Sequence, residues 1–262
     1  MNKKSALHGI PLKKRYGQHF LRDQSVVDCM LEHVDLSEKT SVFEIGCGDG
    51  FLTRSILQTP IKALWVFEID PEWSAYVKET YSDSRLHMSC ENILDVDFSR
   101  FEPGPWTLLA NLPYQITFPI LRKLKENRQL LNEGVVMVQE EVAQKIVPKL
   151  GDATIQSIFY QYYFSWKKLI KVPPRAFVPP PKVHSRLLYF KPRYDQPAIP
   201  DEDAFWKFIR CCFRQRRRTL KNNLQQCHYE FSAVPPDLLA KRAQELSFED
   251  FLHLANMVNL FN

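Results

Sequence analysis

No run of apolar residues in this chain approaches the roughly 18 that span a bilayer, and the first residues hold no apolar stretch of the signal-peptide kind. A cytosolic location is the expectation. The six cysteines, Cys29, Cys47, Cys90, Cys211, Cys212 and Cys227, contain no C-x-x-C pair. Neither a zinc site nor a disulfide frame is therefore indicated, and all six read as reduced thiols. Internal repeats and low-complexity tracts are also missing.

Acidic residues are absent from two stretches. From Met1 to Arg22 the charges are Lys3, Lys4, Lys13, Lys14, Arg15 and Arg22. From Ala204 to Tyr229 they are Lys207, Arg210, Arg214, Arg216, Arg217, Arg218 and Lys221. Such blocks are the footprint of a polyanion site, and the alternative for each is a solvated tail or helix face. The net charge of +5 is modest, so its placement says more than its sum.

What is present suits a soluble globular chain: 262 residues, 45% hydrophobic and 25% charged, enough for one full domain and a smaller appendage. Asp23 is placed to cap a helix carrying Val26, Val27, Met30, Leu31 and Val34 at helical spacing. Short runs at 41–45, 63–67, 85–89, 106–110 and 134–138 read as strands, with helices predicted at 51–57, from Pro71, at 118–125 and at 140–149. This alternation predicts an α/β fold with a doubly wound, mostly parallel sheet and ligand chemistry at the carboxyl ends of its strands. Two further strands, 166–172 and 183–190, flank a proline-rich stretch and suggest an antiparallel closing pair. The expected division is a basic arm at 1–22, a sheet domain at 23–190, a proline-marked linker at 191–200 and a helical, RNA-binding domain at 201–262.

The sequence Glu44-Ile45-Gly46-Cys47-Gly48-Asp49-Gly50 turns a strand end through glycines that let backbone approach a ligand. Its G-x-G-x-G spacing tilts toward S-adenosylmethionine over a dinucleotide, and a ligand-free tight turn is the alternative. Glu68, ending the second strand, is placed to accept from both ribose hydroxyls. Glu91-Asn92 is a candidate for the cofactor's adenine ring, though a surface acid beside a turn fits the spacing nearly as well.

The sharpest signal is Asn111-Leu112-Pro113-Tyr114, directly after an apolar strand. An adenine N6 amino group is a poor nucleophile because its lone pair is delocalised into the ring. A side-chain amide oxygen from Asn111 and a backbone carbonyl from Leu112 would accept from its two N–H groups and favour a pyramidal nitrogen. Pro113 holds the residue before it extended, and Tyr114 offers a ring for the base. Phe177, in a proline-stiffened loop, would close the base's other face, with a polyproline partner motif or a core ring as equal alternatives. The stretch 213–224 reads as a helix that packs Phe213, Leu220 and Leu224 while its arginines project outward to suit phosphates.

With these motifs together, the chain resembles the small-subunit rRNA adenine dimethyltransferases of the KsgA type over nearly its whole length. The likeness rests on Lys14-Arg15-Tyr16-Gly17-Gln18-His19-Phe20-Leu21, the glycine loop, Glu68-Ile69-Asp70, Asn111 to Tyr114, the Phe177 loop, Phe213 to Arg217 and Arg242 to Leu246. It implies that His19, Leu21, Gly46, Glu68, Glu91 and Asn111 contact S-adenosylmethionine, and that Tyr114 and Phe177 hold the adenine. The implied reaction dimethylates two adjacent adenines in a hairpin loop near the 3′ end of 16S rRNA. The implied partner is the immature 30S subunit, met by a monomer without metal.

His19, Cys47, Glu91 and His184 stand where the bacterial pattern usually has Asn, Pro, Asp and an acid, and Asp152 to Ser157 replaces a Tyr-Gly-x-Leu-Ser-like stretch. Three rival functions remain: a large-subunit rRNA adenine methyltransferase, an assembly factor that mainly binds immature subunits, and, more distantly, a dinucleotide-dependent reductase.

Overall fold

The computed structural model describes residues 6–101 and 104–261. Lys3, Lys4 and the side chain of Lys14 lie outside the described residues. In chain order the regular elements begin with β1 (Ala6–Leu7), β2 (Ile10–Pro11), β3 (Phe20–Leu21) and α1 (Gln24–Leu31). Next come β4 (Ser41–Ile45), α2 (Phe51–Leu57), β5 (Ala63–Phe67), α3 (Pro71–Thr80), β6 (Leu86–Ser89) and β7 (Trp106–Asn111). They are followed by α4 (Thr117–Glu126), β8 (Leu131–Gln139), α5 (Glu140–Ile146), α6 (Ile155–Tyr163), β9 (Phe164–Val172), β10 (Phe177–Val178) and β11 (Ser185–Pro192). The last elements are α7 (Glu202–Cys212), α8 (Leu220–Gln226), α9 (Pro236–Ala240) and α10 (Phe248–Met257).

The chain packs as two compact units, one holding residues up to Ala143 with Trp166–Pro192, the other Gln144–Ser165 with Arg193–Asn262. Segment 144–165, expected inside a 23–190 sheet domain, thus packs with the C-terminal helices. Within that second unit Gln161 Nε2 donates to the Ile146 carbonyl and the Tyr163 hydroxyl to Glu202, which ties α6 to its helical neighbours.

In the first unit seven strands form one sheet in the order β6-β5-β4-β7-β8-β11-β9. Strands β6 to β8 run parallel and β11 is antiparallel to β8. Order reverses between β4 and β7, and a parallel sheet opens a ligand crevice at such a switch point, beyond the strands' carboxyl ends. The central strands are apolar on both faces because helices cover both. On one face Val42, Leu64, Val66 and Leu109 share a buried cluster with Val26, Val27, Met30 and Ile56. On the other, Phe43 stacks flat on Trp106 with centroids 4.0 Å apart and meets Phe67, Phe98 and Phe101 at 5.3–5.7 Å.

The expected Asp23 cap forms, and Asp70, not singled out from the sequence as a cap, caps α3. Asp23 accepts from the Ser25 N–H, and Asp70 accepts from the Glu72 N–H with Pro71 in the first turn of α3.

Two expectations need correction in the second unit. Cys211 and Cys227 form a disulfide, whereas Cys29, Cys47, Cys90 and Cys212 are free thiols. A separation of 16 residues carries no local signature, and the α7–turn–α8 hairpin brings the two sulfurs together. Residues 213–219 form that turn rather than a continuous helix. The buried side chain of Asn223 holds it: Oδ1 accepts from the Gln215 N–H, and Nδ2 donates to the carbonyls of Cys212 and Gln215.

Phe43→Ala removes a ring that four others contact and should lower stability by about 3–5 kcal/mol. A urea midpoint that falls by that amount divided by an unchanged m-value checks it.

Candidate active site

Beyond the carboxyl ends of β4, β5, β6 and β7 lies a cavity of about 360 Å³. Its walls are residues 15–21, the glycine loop, Phe67 to Ile69, Glu91 to Leu94 and Asn111 to Ile116. His19, Leu21, Gly46, Glu68, Glu91, Asn111, Leu112 and Tyr114, singled out from the sequence, all line it.

The glycine loop is shaped by backbone that side chains resist. Gly48 has φ +53° and Gly50 +82°, and a Cβ on them would meet the Phe20 and Tyr81 rings at 2.9 and 2.6 Å. A Cβ on Gly46 would touch nothing within 4 Å, so it would occupy the cavity itself.

Glu68, 6% exposed, anchors this loop. Its Oε2 accepts from the Gly48 N–H at 3.1 Å and its Oε1 from the Asp70 N–H at 2.9 Å. Oε1 keeps a second lone pair, and that of Oε2 meets only a thiol, a weak donor that a ribose hydroxyl can displace, so the carboxylate suits two vicinal ribose hydroxyls. Burial pushes its carboxyl pKa up, and bonds from the Asp70 and Gly48 N–H groups oppose the shift. The Cys47 thiol adds a contact to Oε2 at 3.8 Å, so this departure from the usual proline leaves the carboxylate supported. Next to Glu68, Ile69 is 44% exposed and lines the cavity, an apolar side chain open to a flat ligand.

Glu91, longer than the usual aspartate, turns Oε1 toward Ser89 and Arg100, which leaves Oε2 for a donor on a ligand. The Arg100 guanidinium holds its carboxyl below the ordinary range.

At the end of β7 the Asn111 amide is oriented by the backbone. Nδ2 donates to the carbonyl of His19 at 3.3 Å, so Oδ1 is the atom left to accept. The Leu112 N–H donates to the Met137 carbonyl at 3.1 Å, while its own carbonyl accepts no hydrogen bond among the described residues. Asn111 Oδ1 and Leu112 O are therefore two acceptors on successive residues of the cavity wall. The Tyr114 hydroxyl is bonded to Ser185 Oγ at 2.6 Å, and the His19 ring stacks on it with centroids 5.8 Å apart. His19 donates from Nδ1 to the Pro179 carbonyl at 2.7 Å. The contact with Asn111 uses the backbone of residue 19, which is why His in place of Asn leaves it intact.

Phe177 does not offer an exposed ring as expected. It is 2% exposed and absent from the cavity wall. The cause is the β3–β10 ladder, which pairs Phe177 with Leu21 and turns the ring into the core.

Sequence reasoning also missed the pins on the arm at 8–22. Lys13 pairs with Asp70 at 2.5 Å and with Glu72, and Gln18 Nε2 donates to Asp70 Oδ2 at 3.0 Å. Arg22 reaches Asp49 at 2.6 Å and His8 reaches it at 3.3 Å. Such long-range pairs have no spacing signal, although Asp49 and Asp70 stand inside motifs already noted. Arg15 is exposed on the cavity wall, its guanidinium over the Tyr16 ring. In the other unit Arg214, Arg216, Arg217, Arg218 and Lys221 are all exposed, with Arg216 paired to Asp152. No group of three or more His, Cys, Asp or Glu side chains suited to a metal ion occurs among the described residues, and none of their helices is long and apolar enough to cross a membrane.

A family profile described as "Ribosomal RNA adenine dimethylase" matches residues 10–260. The chain belongs to this family. A "Ribosomal RNA small subunit methyltransferase A" of Chlorobium phaeobacteroides is 35% identical over 252 residues, covering 95% of this chain and 92% of the relative. A protein of the same name from Syntrophotalea carbinolica is 35% identical over 259 residues, covering 94% and 96%. Among solved structures, a dimethyladenosine transferase from Plasmodium falciparum superposes with a TM-score of 0.76 at 24% identity over 92% of this chain and 98% of that one. The 23S rRNA methyltransferase ErmE gives 0.74 at 23% identity over 92% and 99%. The fold is that of class I methyltransferases.

The family's methyl donor is S-adenosylmethionine, and the residues present fit it: an open cradle at Gly46, paired acceptors on Glu68 and an apolar Ile69.

Glu44 is the remaining titratable group deep in the wall. It is fully buried, with only Thr53 among the described residues donating to it, and burial pushes its pKa up to about 8. Its neutral form is thus favoured in the fold. This contribution is complete below the ordinary 4.5 and is lost as the pH rises toward about 8. Glu44→Gln should remove that loss, so its melting-temperature advantage over the wild type should widen between pH 5 and pH 8.

Proposed function

We propose that the protein dimethylates N6 of two adjacent adenines near the 3′ end of 16S rRNA during assembly of the small ribosomal subunit. It would act in the cytoplasm, as a monomer and without a metal ion. The observation that carries this reading is the pair of free acceptors at the end of β7, Asn111 Oδ1 and Leu112 O. Small-subunit specificity is supported by the names of the relatives at 35% identity.

In this reading Glu68 holds the donor's ribose, Glu91 its adenine ring, and Gly46, Leu21 and His19 the rest. S-adenosylmethionine, when bound, supplies a methyl carbon made electrophilic by its sulfonium. The protein's own work is geometry. Asn111 and Leu112 accept from the amino N–H groups of the target adenine, which draws its nitrogen toward a pyramidal shape and aims the lone pair. Tyr114, fixed by Ser185, is a shelf for an extruded base, and stacking of this kind is worth about 1–3 kcal/mol. Phe177 supports the site from behind through its pairing with Leu21. Lys14, Arg15, Arg214, Arg216, Arg217, Arg218 and Lys221 would meet RNA phosphates, with Arg216 first leaving Asp152.

An assembly factor that works by binding alone would not need the two acceptors at Asn111 and Leu112. Asn111→Ala should reduce methyl transfer to immature small subunits by about a hundred- to a thousandfold, as loss of a positioned hydrogen-bond partner in the transition state does. Binding of those subunits should change less than about threefold, within the range of a neutral contact. Full transfer by the variant would refute the assignment.

A further inference from the structure

A third acid-free stretch, longer than the two basic blocks noted in the sequence, runs from Ala153 to Tyr194. Its part from Trp166 to Pro192 belongs to the same compact unit as the cavity. Two cations there are neutralised within the fold, Arg186 by Glu140 at 2.8 Å and Lys191 by Glu133 at 3.4 Å. Lys167, Lys171, Arg175 and Lys182 are different. All four are exposed, and their side chains make no hydrogen bond or ion pair among the described residues.

Their places trace a path to the cavity. Lys167 and Lys171 stand on β9, the last strand of the sheet beyond β11, about 13 Å apart for four residues of strand. Arg175 lies in the turn after β9, next to Ala176, whose carbonyl accepts from the Arg22 N–H at 2.7 Å. Lys182 follows Pro179, Pro180 and Pro181 and stands three residues before Ser185, the partner of the Tyr114 hydroxyl. Lysines on an edge strand guard it against pairing with another edge, but that role does not reach Arg175 and Lys182, which lie off the strand. Neighbouring prolines hold those two in place at little cost in entropy. Four like charges without a counter-charge repel one another, a cost that a polyanion relieves.

We propose that Lys167, Lys171, Arg175 and Lys182 form a further contact for the RNA backbone, which seats the phosphates leading to the target adenine along this edge of the sheet. The inference rests on the proposed RNA substrate and adds to it a surface on the sheet unit, apart from the arginine turn of the helical unit. Its work is placement, because phosphate contacts fix register and orientation and carry no base information. The strand then approaches Tyr114 from the side of β9.

Binding of the full chain to immature small subunits and to protein-free small-subunit rRNA, measured over a range of salt, tests the strip. Each phosphate contact contributes about 0.7–0.9 to the slope of log affinity against log salt. Changing all four residues, Lys167→Gln, Lys171→Gln, Arg175→Gln and Lys182→Gln, should lower that slope by about 3 on both probes and weaken binding roughly a hundredfold at about 0.1 M salt. Affinity for S-adenosylhomocysteine should not change, which also reports that the variant is folded. Should it fail to fold, the pair Arg175→Gln and Lys182→Gln should lower the slope by about 1.5. The control pair Lys39→Gln and Lys78→Gln, which removes two exposed charges elsewhere on the same unit, should leave it unaltered. An unchanged slope in the strip variants, with or without new self-association, would overturn the proposal and leave the lysines as edge guards. An equal fall in the control pair would overturn it in favour of net charge alone, and a loss seen on subunits but not on protein-free RNA in favour of an acidic ribosomal protein. A wild type that binds neither probe would instead overturn the RNA reading beneath it.

Discussion

The bridge made by Glu68 between the glycine loop and the start of α3 is the interaction on which the site depends. One carboxylate accepts from Gly48 on one side and from Asp70 on the other. It thereby fixes a loop whose glycines have no side chains to fix it, at the point where the sheet's strand order reverses. The price of burying an acid here is set against two backbone N–H bonds that would otherwise go unmet. Because those bonds use one lone pair on each oxygen, the same group can organise the protein and still offer acceptors to a ligand.

The surroundings extend this economy. Asp70, whose N–H holds Glu68, spends its carboxylate on α3 and on Lys13 and Gln18. Asp49, inside the loop, holds Arg22 and His8. The arm is therefore pinned to two motifs of the cleft rather than draped over it. His19, between the pins, orients Asn111 through its carbonyl and reaches Pro179 through its ring. The donor cradle and the acceptor pair at β7 are thus parts of one hydrogen-bonded frame.

Much of this was legible in the sequence for physical reasons. Strands buried on both faces leave short apolar runs such as Ala63–Phe67, glycines mark the turn that follows β4, and Asn111 to Tyr114 follow directly on an apolar strand. What was not legible depends on contacts distant in sequence. The burial of Phe177 follows from pairing with Leu21, far earlier in the chain. The arginine-rich stretch has helical spacing, yet Asn223 draws it into a turn, and the Cys211–Cys227 bond closes at the base of the same hairpin. Glu44 was in plain view within the loop motif, but only the structure shows that one of its oxygens is idle.

The central claim is that this cavity delivers methyl groups to adenine N6 of small-subunit rRNA, and nucleoside analysis tests it most directly. The purified protein, radiolabelled S-adenosylmethionine and undermethylated ribosomal subunits of both sizes are incubated, and the labelled nucleosides are identified and located. The account predicts label in N6,N6-dimethyladenosine at two adjacent positions near the 3′ end of the small-subunit RNA and none in the large subunit. Label confined to large-subunit RNA, or found on a nucleoside other than adenosine, would contradict it.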